Sequence, residues 1–324
     1  MGRYLKVELL PGHEAMRREG IDRIVLGPKE GLSMVNGTHV TTALLALALW
    51  DANIIIKSID IIAAMSLEAL RGRTAAYDLR IHTLRPYAGQ IISANNINLI
   101  VAGSKLLDSR QEIVQDPYAY RCTPQVHGAC RSALKYIGDV VNTELNAVTD
   151  SPLVFELNDD LQLLSGGNFH AEPLGYAADT LGLVMAGLGT LSERRGYRLT
   201  SNMLNRGLPS YLVDNPGINS GLMIAQYTAA SLASENKVLS HPSTVDSITV
   251  AEDQEDHVSM ATFAARKALL INENVSRICA VEFLCAAQAL DFRLREEGSD
   301  KILGNGTKAA FDTIRKYTEN SGKV

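Results

Sequence analysis

Residues 38–70 read THVTTALLALALWDANIIIKSIDIIAAMSLEAL. Ala, Leu and Ile crowd the stretch from Ala43 to Ala64 and leave almost no polar face. The run is too long for a strand and is built from helix formers, so it predicts one long helix or two in series. Asn36-Gly37-Thr38 supply residue types that cap a helix start. A helix apolar on most sides is expected at the centre of a large bundle.

Working outward, the same texture recurs. Gln90–Leu107 is moderately helical. Gln125–Leu145 repeats apolar residues at Val126, Ala129, Ala133, Leu134, Ile137, Val140 and Val141. Leu174–Leu199, Ser220–Ser240 and Asp256–Leu290 predict three more long helices, and Ala309–Tyr317 a short amphipathic one. Between them lie segments of turn chemistry. Residues 1–30 read as irregular, Arg71–Gly89 as a basic loop and Asp108–Pro124 as a polar connector. Leu153–Leu163 suits a hairpin around Asn158-Asp159-Asp160. Gly187-Leu188-Gly189 follows no strand and is read as close helix packing. The expected fold is mainly α, a bundle of long helices whose loops carry the unusual residues, in a single domain over residues 1–324.

With 324 residues, 46% of them hydrophobic, the chain can bury a large core. A formal charge of -5, with acids and bases interspersed, excludes the basic footprint of a nucleic-acid binder or a polybasic membrane anchor. Gly31–Trp50 is long enough to span a bilayer, but Ser33, Asn36, Thr38, His39, Thr41 and Thr42 make it too polar, so no membrane span is expected. The residues after Met1 lack a signal-peptide pattern. Cys122, Cys130, Cys279 and Cys285 fit no zinc spacing and are read as small buried groups in a cytoplasmic protein.

Three polar clusters interrupt the helices. In Val114–Cys122, Gln115, Tyr118 and Arg121 are three apart. If Asp116 caps a short turn with Pro117 at its first position, an amide, a phenol and a guanidinium share one face. A guanidinium fork matches a carboxylate, and a phenol beside a cation is a candidate base. The alternative is a solvated loop in which Arg121 pairs with Asp116. In Ser165–Pro173, paired glycines allow close backbone approach, and Phe169 and His170 can line a pocket; alternatively the segment is only a turn into a helix begun at Pro173. In Glu252-Asp253-Gln254-Glu255-Asp256-His257, acids either cap the following helix or, crowded together, hold one carboxyl protonated for acid-base work. The HxxxH and HExxH spacings are absent, so no metal is expected there. No phosphate-binding loop or nucleophile elbow occurs.

These clusters also carry a resemblance. Glu30-Gly31-Leu32 through Asn36-Gly37-Thr38, Val114–Cys122, Pro124-Gln125-Val126 and Glu144–Pro152 match the aromatic amino acid lyase family, most closely its histidine-specific ammonia-lyases. So do Ser165–Pro173, Asn219-Ser220-Gly221, Met223–Gln226, Ala233–Lys237 and Gln254–Met260. The matches run in family order from about residue 30 to about residue 293.

The resemblance implies a helical homotetramer of the lyase or fumarase-like type that eliminates ammonia from an L-α-amino acid, here L-histidine to trans-urocanate. It implies 4-methylidene-imidazol-5-one as the electrophile, formed from an internal Ala-Ser-Gly, and no metal. Carried over by motif, Arg121 grips the substrate carboxylate, while Tyr118 and Gln115 sit beside the electrophile and the amine. Asn36 hydrogen-bonds near the electrophile, and Phe169 packs against it. Met223 and Glu255 face the imidazole end, where an acid suits an imidazole N–H, and Gln254 is a further substrate-binding residue. Tyr118 and Glu255 are the expected catalytic pair.

The sequence departs from the pattern in one block. No Ala-Ser-Gly occurs in it; Ser165-Gly166, Ser220-Gly221 and Ser321-Gly322 follow Leu164, Asn219 and Asn320. The family's tyrosine loop is also missing, and the last helices are expected to be incomplete. The expectation is a partial chain or subunit acting with a separate N-terminal lyase polypeptide. The alternatives are a non-catalytic oligomeric relative, and a tyrosine or phenylalanine ammonia-lyase or aminomutase.

Overall fold

A computed structural model describes residues 8–158, 160–299 and 302–318. Residues 1–7, Asp159 of the expected hairpin turn, residues 300–301 and residues 319–324 of the tail lie outside the described residues. The chain divides into two compact units, residues 1–37 with 149–169, and residues 38–148 with 170–324.

The larger unit is the helical bundle. The opening stretch forms one continuous helix, His39–Ala69, which is called α3 because two short helices precede it, α1 (Gly12–Arg18) and α2 (Glu30–Val35). Thr38 stands at its cap position, but no side chain caps its backbone; the Thr38 hydroxyl donates instead to Glu144 Oε1 at 2.6 Å. The helix is buried on every side only from Ile62 to Ala69. Its first half turns Val40, Leu47, Trp50 and Ile54 to the surface, Trp50 being 69% exposed. The expected burial on most sides therefore holds for its last two turns alone.

The other helices follow as α4 (Leu79–Thr83), α5 (Ala88–Ile100), α6 (Tyr118–Arg121), α7 (Thr123–Glu144), α8 (Glu172–Thr200), α9 (Met223–Leu239), α10 (Ala261–Glu297) and α11 (Asn305–Arg315). α10 packs along α8 and α3, and α7 closes on α8, α5 and α3. The main core joins Leu45, Ile59, Ile137, Leu181, Leu188, Ile271 and Val275 from four of these helices. Gly189 lets α8 approach Val275, as expected of close helix packing, whereas Gly187 faces open space. By length and composition α8 is the one helix among the described residues able to cross a membrane, yet more than half of that window is buried inside the protein.

Charges are also buried in this bundle. Glu282 on α10 accepts from Arg195 Nε at 2.6 Å and Nη2 at 2.9 Å, from Ser66 at 2.7 Å and from Ser192 at 2.6 Å. Asp60 on α3 accepts from Arg131 at 2.6 Å and Asn96 at 2.8 Å, with His127 Nδ1 at 2.7 Å. Each carboxylate is surrounded by donors, which is the condition under which a buried charge is tolerated. Cys130, Cys279 and Cys285 are buried free thiols whose pKa values burial pushes up to about 12. They are inert packing groups, as expected.

The smaller unit holds α1, α2 and an antiparallel hairpin of β1 (Leu153–Leu157) and β2 (Asp160–Leu164), in register from Leu153 opposite Leu164 to Leu157 opposite Asp160. Asn158 sits at φ +53°, a left-handed turn position its short amide tolerates. The stretch expected to be irregular contains α1, where Glu14 pairs with Arg17 and Arg18 one turn on.

Candidate functional site

The site begins with Asp116, which does not cap a turn. It is buried and accepts from the Arg73 backbone N–H at 2.6 Å and from Arg206 Nη2 at 2.7 Å. Arg206, rather than Arg121, is its ion-pair partner. Fixing Asp116 sets the direction of the chain entering α6, and Pro117, already extended at ψ 159°, stands at the cap. The turn is held from beneath. Tyr77 donates its phenol proton to the Tyr120 carbonyl at 2.7 Å, and Arg195 Nη1 lies 3.5 Å from the Ala119 carbonyl. Tyr120 is wholly buried, so α6 has one face locked into the bundle and one face free.

The free face carries Tyr118 and Arg121. The Arg121 guanidinium carbon lies 4.8 Å from the centre of the Tyr118 ring, a cation–π contact. Tyr118 is 70% exposed. Arg121 Nε is shut off from water and has no hydrogen-bond partner, and no described carboxylate pairs with the guanidinium. A buried N–H without an acceptor is unfavourable, and a planar donor fork fits an incoming carboxylate. Gln115, also exposed, precedes the turn. Of the two readings of this cluster, the solvated Arg121–Asp116 pair is excluded by the structure.

Met223 is the first residue of α9 and is half-buried. Gln254 and Glu255 lie exposed in the loop before α10, where Val250 and Glu255 exchange backbone hydrogen bonds at 3.1 and 3.3 Å. Ala251, Glu252 and Asp253 run consecutively at φ +52°, +54° and +66°, a left-handed turn that L residues adopt at a cost. α10 starts only at Ala261, with Met260 at its cap. The acid cluster is therefore a shaped loop, and the helix-capping reading of it fails. No hydrogen bond or ion pair among the described residues joins Met223, Gln254 or Glu255 to Tyr118 or Arg121.

In the smaller unit, Phe169 is partly exposed. Asn36 donates through Nδ2 to Asp150 Oδ1 at 3.4 Å and to the Ser151 carbonyl at 3.3 Å. Asp150 is the anchor here. It also pairs with Lys29 and accepts from Ser33 at 2.6 Å, and these contacts, with Lys29 the largest, hold its carboxyl well below the usual range. Asp150 was visible only as part of a shared motif. Its three partners all lie in residues 29–36, and that pattern is the signal the sequence offered.

Against this geometry, the chain matches the aromatic amino acid lyase family over residues 2–316. The chain belongs to that family. It is 48% identical over 315 residues to histidine ammonia-lyase 2 of Fusobacterium nucleatum, covering 97% of this chain and 60% of that protein. Among solved structures, histidine ammonia-lyase from Trypanosoma cruzi superposes with a TM-score of 0.86 at 40% identity, covering 96% of this chain and 58% of the other. Tyrosine aminomutase from Streptomyces globisporus superposes at 0.89 with 33% identity, covering 96% and 62%. The chain thus spans about 60% of the length of the relatives it matches. The expected mainly helical lyase-type fold is the one observed.

Proposed function

We propose that the chain supplies the substrate grip of an ammonia-lyase that converts L-histidine to trans-urocanate and ammonia. The observation that carries the reading is Arg121, an unpaired guanidinium with an orphaned buried Nε, held on a locked turn beside an exposed phenol. The identity to histidine ammonia-lyases supports histidine as the substrate.

In this reading Arg121 takes the amino acid carboxylate in a two-pronged hydrogen bond and fixes the α-carbon. Tyr118 presents its phenol to the reacting end. As the C–N bond breaks and ammonia leaves, a proton passes from the β-carbon to a base, and Tyr118 is the candidate for holding it. Glu255 accepts an N–H from the imidazole, with Met223 and Gln254 beside it. 4-Methylidene-imidazol-5-one, when bound, supplies the electrophile that draws the substrate amine. The donors of the larger unit fit a group of that kind: the exposed Gln115 amide and Tyr118 hydroxyl suit its carbonyl. Asn36 spends its N–H on Asp150 and Ser151, so its carbonyl oxygen is the atom it can offer. No Ala-Ser-Gly lies in the 324 residues, so the electrophile comes from residues outside them.

The partners that follow are a separate electrophile-bearing lyase polypeptide and further copies of this chain in a tetramer-like assembly. The exposed Val40, Leu47, Trp50 and Ile54 stripe on α3 supports self-association. A cytoplasmic location accords with the free cysteines.

The test is to mix the chain with a polypeptide carrying the Ala-Ser-Gly portion and assay L-histidine, L-tyrosine and L-phenylalanine side by side. Urocanate absorbance should grow with histidine alone and only when both polypeptides are present. If no urocanate forms, the reading fails; if tyrosine or phenylalanine turns over instead, the assignment of Glu255 to an imidazole is wrong.

A further inference from the structure

His170 and Glu172 lie where the chain enters α8, and His257 lies in the loop before α10. The bundle brings them together. His170 Nδ1 is 3.8 Å from Glu172 Oε2, and His257 Nε2 is 3.7 Å from the same oxygen. One nitrogen from each ring and one carboxylate oxygen all fall within 4.8 Å of one another. The two rings are stacked, with centroids 5.5 Å apart and planes 11° from parallel.

Two observations show that this is more than proximity. Both Glu172 oxygens are sealed from water, and neither has a hydrogen-bond partner. Tyr176, one turn along α8, reaches toward Glu172, and that side-chain hydrogen-bonding contact, followed by the carboxylate's charge, holds its phenol above the usual range, although it leaves neither Glu172 oxygen with a well-formed hydrogen bond. A buried carboxylate with no well-formed hydrogen bond is unstable unless a cation meets it. The second observation is the tautomer. His170 Nε2 is 3.2 Å from the His257 carbonyl oxygen, which can only accept. Nε2 therefore carries the proton, and in the neutral ring Nδ1 turns a lone pair toward Glu172. A ring whose other N–H is tied to a backbone carbonyl is the usual setting of a metal-bound histidine.

We propose that His170, Glu172 and His257 form a divalent metal site of the zinc class, held by two imidazoles and one carboxylate with a position open to water or a ligand. Tetrahedral zinc, at about 2.0–2.2 Å from each atom, places its ligands roughly 3.4 Å apart. The two nitrogen–oxygen separations of 3.7 and 3.8 Å close to that value with shifts of a few tenths of an ångström, and the two nitrogens, within 4.8 Å of each other, draw together by at most about 1.4 Å. His257 is exposed, which gives the ion a route in. Two nitrogens and one hard oxygen favour zinc over calcium or magnesium. The site is independent of the lyase reading and would stand if that reading fell. HxxxH-type spacing missed it because its ligands come from two elements 87 residues apart.

The experiment uses the chain without a histidine tag, stripped with chelator and titrated with zinc chloride in a calorimeter. Cobalt(II) provides a second, visible-absorption readout. One zinc per chain should bind saturably and raise the melting temperature. His257→Ala and Glu172→Gln should each weaken binding by at least about tenfold, and His170→Ala with His257→Ala should abolish it. His257 is at the surface, so its alanine variant keeps the test open if Glu172→Gln fails to fold. Absence of saturable binding would overturn the proposal, as would zinc binding that survives the double histidine variant. In the first case the cluster is a metal-free imidazole–carboxylate contact, and in the second the metal sits elsewhere.

Discussion

Glu282→Ala is the substitution whose consequence the structure fixes most tightly. Glu282 and Arg195 have no exposed side-chain surface, and the carboxylate takes two hydrogen bonds from the guanidinium and one each from Ser66 and Ser192. Removing the carboxylate leaves a guanidinium in the core with no counter-charge, a change that costs about 3–5 kcal/mol in buried pairs. The two serine hydroxyls lose their acceptor as well, at roughly 1 kcal/mol each, partly overlapping the first figure. A loss of about 5 kcal/mol is a large share of the roughly 5–15 kcal/mol that holds a domain folded. Urea unfolding followed by far-UV circular dichroism measures it as a drop in midpoint at constant slope. The informative control is Arg195→Met with Glu282→Leu, which removes both charges and fills the volume; it should recover most of the loss. A single variant that loses less than about 1 kcal/mol would refute the reasoning. So would a double variant as unstable as the single, because the cost would then lie in packing and not in an orphaned charge.

Other consequences are simpler to state. A Cβ on Gly128 would collide with the backbone of Gln90, its Cα only 2.5 Å away, so Gly128→Ala should cost at least about 2–3 kcal/mol. Gly138→Ala on the same helix meets nothing nearer than 3.9 Å and should be neutral or stabilising by up to about 1 kcal/mol; denaturation of the pair settles both. Burial holds the Glu68 carboxyl above its ordinary 4.5, although it accepts the Gly304 N–H at 2.8 Å. The folded state then binds that proton more tightly than the unfolded state, so its contribution is full below pH 4.5 and fades as pH rises through the raised folded value. Relative to Glu68→Gln, the unsubstituted protein should lose stability on going from about pH 4 to about pH 8, and a constant gap would contradict the assignment. In the reconstituted lyase, Arg121→Lys keeps the charge but loses the fork, and should raise KM for histidine about tenfold or more; an unchanged KM would remove Arg121 from the carboxylate.

What the sequence disclosed and what it hid follow from the range of the forces involved. Helix existence is a local property, set by the apolar period and residue type, so all the long helices were foreseen, with ends off by a few residues. The start of α10 was misplaced because the acids of Glu252–Asp256 resemble a cap, whereas the left-handed run Ala251–Asp253 carries the chain through a shaped loop instead. The contents of the α6 turn were equally plain, since Gln115, Tyr118 and Arg121 are neighbours. Their electrostatic state was not, because it depends on Arg206, a residue 90 positions from Asp116. Had Arg206 not claimed Asp116, the nearest cation in sequence would be Arg121, and the guanidinium offered to a substrate would be spent on its own loop. The availability of Arg121 is thus a property of the fold, created by an ion pair in which it takes no part. Arg206→Ala should accordingly impair amino acid binding without touching the substrate, by freeing Asp116 to compete for Arg121. Arg206→Ala combined with Asp116→Asn should restore part of that binding, and a combined variant no better than Arg206→Ala alone would show that the competition does not exist.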